Sequence, residues 1–138
     1  MKRIILLLIF STTLISFNVN NESFEFNIIG KWKSEYELNI GSFNFDREGF
    51  ATLIVDDKII GAKRFEKNGK VYSLSYEVEY NKEPKELDLI FKNLDSGNQM
   101  VWRCIFTVLN ENKIRFARGT NNESRPKDFT DSIVLERV

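Results

Sequence analysis

An all-β fold, an eight-stranded antiparallel up-and-down barrel, is predicted by three observations. Apolar and polar residues alternate with period two through most of the chain, as in strands with one face on a core and one in water. Turn signals recur at short intervals, so strands adjacent in sequence are expected to pair in space. No window carries a convincing helical period. A two-sheet β-sandwich meets the same description. Closure removes exposed edges, and this favours the barrel for a chain rich in β-forming segments.

The first strand is read over 30–38. Trp32, Ser34, Tyr36 and Leu38 face one way, and the charged Lys31, Lys33, Glu35 and Glu37 face the other. Before it, 24–29 is expected to form a short turn or plug. A connection over 41–48 leads to strands at 49–55 and 58–65, separated by Asp56-Asp57. Asn68-Gly69 then marks a hairpin, because both residues of such a turn must accept positive φ. The strand over 71–80 puts Tyr72, Leu74, Tyr76, Val78 and Tyr80 in phase. Next, 85–93 carries Leu87, Leu89 and Phe91 on one face, and 99–108 carries Met100, Trp102, Cys104, Phe106 and Val108. Strands at 113–118 and 132–137 complete the eight.

The first twenty residues read differently. Met1-Lys2-Arg3 is a short basic region and Ile4 to Phe10 an unbroken apolar run, the pattern of a secretory signal peptide. The run is shorter than the ~20 apolar residues of a spanning helix, so no integral membrane span is expected once the leader (1–20) is removed. The mature domain is then 21–138, about 118 residues, exported to a periplasm or beyond. Losing Lys2 and Arg3 leaves 18 basic against 20 acidic residues. A net charge near −2 lacks the basic surplus that non-specific nucleic-acid binding requires. Cys104 is the only cysteine, so no intramolecular disulfide is available and the thiol is read as a small buried hydrophobe.

Gly30-Lys31-Trp32 resembles the glycine-x-tryptophan signature of the lipocalins and the wider calycin superfamily. A second succession is more specific: Pro84-Lys85-Glu86-Leu87-Asp88-Leu89, then Asn112-Lys113-Ile114-Arg115-Phe116-Ala117, then Arg125-Pro126-Lys127-Asp128-Phe129. It resembles a family of small, secreted, lipocalin-like bacterial proteins of unassigned function. The resemblance implies a lipocalin-like barrel in which Trp32 packs at the closed end beneath an arginine of the last strand. Arg137 is the candidate, either stacked on Trp32 as a cation–π pair or left as a solvated terminal residue. A binding site is then expected toward the opposite mouth.

The chain has no histidine, which removes the commonest general base, the Ser-His-Asp triad and every histidine metal site. One cysteine excludes thiolate clusters. No catalytic residue, metal site or cofactor is expected, and the protein is read as non-enzymatic. Two roles remain. In one, inward residues Tyr36, Phe50, Ile54, Tyr76, Phe91, Trp102 and Phe106 line an apolar cavity for a small hydrophobic molecule or lipid. In the other, the same aromatics fill the barrel and a structural or interaction module acts through its loops. Arg125 either clamps an acidic ligand group at the mouth or pairs with Asp128 or Asp131.

Overall fold

The structure is a computed structural model that describes residues 24–35 and 40–138. The expected leader and Tyr36 lie outside the described residues. Among the described residues ten strands form one antiparallel sheet: β1 (Gly30–Ser34), β2 (Ile40–Phe45), β3 (Ala51–Val55), β4 (Lys58–Gly61), β5 (Phe65–Lys67), β6 (Lys70–Glu79), β7 (Lys85–Asn93), β8 (Gln99–Asn110), β9 (Lys113–Ala117) and β10 (Ile133–Arg137). Their order is β4-β3-β2-β1-β10-β9-β8-β7-β6-β5. Each strand therefore pairs with its sequence neighbours except at β4 and β5, which do not pair with each other, and the first strand pairs with the last. This is an up-and-down meander curled into a nearly closed barrel.

Two additions correct the expected eight strands to ten. The segment expected as a connection over 41–48 contains β2, because Gly41, Ser42 and Asn44 look like loop residues. Ladders to β1 and β3 nonetheless hold it in register, Phe43 opposite both Trp32 and Leu53. The strand expected over 58–65 is two. Gly61 and Ala62 adopt φ of 124° and 65°, which takes the chain out of the β region between β4 and β5. Asp56, Asp57, Asn68 and Gly69 all have positive φ in the two-residue connections β3–β4 and β5–β6, as expected of such turns.

Inward residues of the lower and middle barrel are completely packed. Phe43, Phe45, Leu53, Leu74, Leu87, Leu89, Phe106, Ile114, Phe116 and Leu135 have essentially no exposure. Phe43 stacks beside Phe45 and meets Phe116 edge-on, and Phe45 meets Tyr76 with ring centroids 5.0 Å apart. Offset and edge-to-face contacts are the arrangements aromatic quadrupoles favour.

The floor is built on Trp32, which is fully buried and donates its indole N–H to the Ile28 carbonyl at 2.8 Å. Phe26 closes the end from below, 6.0 Å from Trp32 and 5.9 Å from Phe106. The 24–29 segment is thus an extended plug. Arg137 lies over the Trp32 ring at 4.3 Å. It donates Nη1 to the Ile29 carbonyl at 2.7 Å, Nη2 to Asn27 at 2.8 Å and Nε to Glu111 at 3.3 Å. Gly30, at φ 129°, leaves room for it: a Cβ there would lie 3.0 Å from Nη1. The expected grouping of Gly30, Trp32 and Arg137 is present, and the arginine is stacked rather than solvated.

Opposite the floor, the barrel wall parts. Toward the floor, β3 and β6 are joined by Tyr76 N–H to the Gly49 carbonyl and by a bridge between Phe50 and Ser75. Leu74 N–H reaches the Ala62 carbonyl above them. Beyond that point β4 follows β3 and β5 follows β6, so the two form the edges of the sheet. The seam between them opens into the mouth.

Candidate functional site

The mouth holds a cleft of about 850 Å³ lined from β3, β4, β5, β6, β7 and β8. Period-two alternation supplies its floor. Phe65 and Tyr72 are a register pair on β5 and β6 and stack at 5.7 Å. Phe91 and Trp102, from β7 and β8, approach to 4.8 Å at 59°. Val55, Ile60 and Met100 complete an apolar base that packs on the core from above and is only partly buried. Above it stand amides and hydroxyls: Asn68, Asn93, Ser96, Asn98, Gln99 and Asn121. The volume falls within the roughly 300–1,000 Å³ of small-molecule sites, and an apolar base with a few polar groups is their usual chemistry.

Several of those polar groups are already committed. Asn93 Oδ1 accepts from the Asp95 and Ser96 amides and holds the β7–β8 turn. Asn121 Oδ1 accepts the Trp102 indole N–H, and Arg118 lies 4.8 Å from the Trp102 ring. The indole is therefore fixed in place with its polar atom satisfied. Among the described residues no hydrogen bond reaches the side-chain amides of Asn68, Asn98 or Gln99, which leaves them to meet a ligand.

The residues expected to line one cavity are dispersed. Phe91 and Trp102 line the mouth cleft. Phe106 is fully buried on the floor against Phe26. Tyr76 sits in the middle layer, its hydroxyl donating to the Asp46 carbonyl at 2.6 Å. Burial, followed by the charges of Tyr80 and Asp46, pushes the Tyr76 phenol above its ordinary pKa. Ile54 points outward and is 38% exposed. The register of β3 puts Ala51 and Leu53 inside instead, a one-residue phase shift that exchanges the faces of a strand. Phe50 shares that outward phase and sits half-buried at the seam, with the Lys63 ammonium 5.7 Å from its ring.

Arg125 meets neither expectation. It crosses the outer face of the barrel, donates Nη1 to the Cys104 carbonyl at 2.8 Å, and reaches Asp88 Oδ1 at 2.8 Å and Glu86 at 3.6 Å. Asp88 and Glu86 alternate with the inward Leu87 and Leu89, so they project to the side away from the core. Asp88 Oδ1 is buried without a hydrogen bond of good geometry, and the Arg125 charge is its compensation. Asp128 instead accepts from the Thr130 amide, and the Thr130 side chain followed by that amide lowers its carboxyl pKa from the ordinary value. Gly119 lets this return segment lie directly on β8, since a Cβ there would overlap the Arg103 carbonyl.

Cys104 is fully buried, and desolvation pushes its thiol up to about 12. A thiol held protonated is neither a nucleophile nor a ligand at neutral pH. Among the described residues there is no group of three or more acidic or cysteine side chains placed to hold a metal ion, and no helix long and apolar enough to cross a membrane. No family model, curated protein or solved structure matches the chain.

Proposed function

We propose that this is an exported, lipocalin-like, non-enzymatic binding protein that takes a small hydrophobic molecule at the mouth of its barrel. The observation that carries the reading is the contrast between a filled lower barrel and an open, aromatic-based cleft at the seam. Aromatic rings held open to solvent cost hydration free energy that burial against a ligand recovers. Export rests on the basic and apolar leader. The binding role, in preference to catalysis, rests on the missing histidine and on the inert Cys104 thiol.

The test is native mass spectrometry of the protein purified from its own host, followed by titration with N-phenyl-1-naphthylamine, an uncharged hydrophobic fluorophore. A co-purifying hydrophobe near one per chain, or saturable one-to-one fluorophore binding weakened in Trp102→Ala, supports the proposal. An empty protein that also ignores the fluorophore would overturn it and favour a packed module acting through its loops.

A further inference from the structure

Two lysines stand where the alternation of the wall calls for inward side chains. Lys67 is two residues beyond Phe65 on β5, and Lys70 is two before Tyr72 on β6. Strand geometry therefore sets both on the inner side of the lip, above the Phe65–Tyr72 stack, and both line the cleft. They are also a register pair across the Asn68-Gly69 turn. Like charges directly opposite each other destabilise a hairpin. Neither lysine has a carboxylate within ion-pair distance among the described residues. Asp95 is the one acidic residue lining the cleft, against these two cations.

We infer that the ligand is a single-chain amphiphile with an acidic head, its tail on the Phe65, Tyr72, Phe91 and Trp102 rings and its head between Lys67 and Lys70. This deepens the proposed binding role and rests on it. An anion between the two ammonium groups removes their mutual repulsion and gains charge-assisted hydrogen bonds. The lysine stems extend the apolar surface toward the head while their charges stay at the rim. A carboxylate and a phosphate monoester share this chemistry, and both belong to lipids.

Isothermal titration calorimetry of the purified protein with decanoate, decyl phosphate and 1-decanol separates the possibilities. At low salt the two anions should bind about tenfold more tightly than the alcohol, the effect expected from two partly exposed charge pairs. That advantage should shrink on raising salt to about 0.5 M, because exposed charges are screened. Lys67→Gln/Lys70→Gln should remove it, lowering affinity for both anions about tenfold more than for 1-decanol, and Lys92→Gln, on the outer face of β7, should change nothing. Preference for decyl phosphate would point to a phospholipid-type head and preference for decanoate to a fatty acid; either supports the inference. Equal affinity for all three probes, insensitive to the lysine pair and to salt, would overturn the head-group assignment and leave the apolar cleft standing. If none of the three binds, the cleft reading fails as well.

Discussion

Removing the Arg137 guanidinium is the most direct perturbation of the floor. Its Nη1 bond to Ile29, at 2.7 Å and part-buried, is worth about 1.5 kcal/mol as a charged hydrogen bond. The bonds to Asn27 and Glu111 are exposed, so water replaces them and each contributes roughly 0.5 kcal/mol or less. Stacking on a fully buried Trp32 at 4.3 Å adds about 0.5–2 kcal/mol. Arg137→Ala should therefore cost about 3 kcal/mol. Lysine has a single point of donation and no planar fork, so Arg137→Lys should recover no more than about 1 kcal/mol of that. Urea unfolding followed by tryptophan fluorescence and circular dichroism reads both, since about 1–3 kcal/mol per molar is the usual slope. The alanine variant should lose 1 M or more of midpoint. Gly30→Ala adds a control: part of its cost is pressure on Nη1, so the substitution should cost less in the Arg137→Ala background than in the native one. A midpoint for Arg137→Lys equal to that of the native protein would refute the reasoning, because neither fork nor stack would then matter.

Two further outcomes follow from the outer face and the core. Arg125→Ala strips the buried Asp88 Oδ1 of its compensating charge and should cost about 1–2 kcal/mol. Adding Asp88→Asn should restore part of that in thermal unfolding, and no restoration would mean the arginine acts through the Cys104 carbonyl alone. For Cys104, the folded pKa near 12 lies above the ordinary 9.0, so the unfolded chain loses its proton first. The contribution of the thiol to stability is then complete below pH 9 and lost as pH rises toward 12. Between those values the native protein should lose stability up to about 1.4 kcal/mol per pH unit faster than Cys104→Ala. Parallel pH profiles would show that the thiol ionises in the fold.

Legibility differed by element for physical reasons. Trp32 shows through its charged neighbours Lys31 and Lys33, while the β6 row from Tyr72 to Val78 and the β7 row of Leu87, Leu89 and Phe91 sit in strands long enough for the period of two to appear in the sequence alone. The hairpins at Asp56-Asp57 and Asn68-Gly69 are local, set by which residues tolerate positive φ. β2 is not legible locally because Gly41, Ser42 and Asn44 have weak β propensity and the strand exists through its ladders to β1 and β3. Ile54 and Phe50 face outward, against the sequence expectation, because a short strand after a turn leaves its phase open until pairing fixes it.

The site divides along the same line. Of the residues proposed as lining, Phe91 and Trp102 reach the cleft, joined by Met100 from the same row of β8, while Phe65, Tyr72, Lys67 and Lys70 emerge only once β5 and β6 are seen as separate from β4. A signal was present for Tyr72, which lies in phase with the core row of β6. None existed for Lys67, whose strand is three residues long. Likewise no local pattern linked Arg125 to Asp88, 37 positions apart in the chain.

The sequence by itself determined the all-β class, the meander with its tight turns, the inward side of Trp32 and the absence of histidine chemistry, because each depends on composition or on residues a few positions apart. Only the tertiary structure decided that ten strands curl into one sheet, that the lower barrel is filled, and that the wall parts between β4 and β5 to leave an aromatic cleft under two lysines. Those outcomes depend on which edges meet after the chain has closed on itself, and pairing between distant segments leaves no period in the sequence.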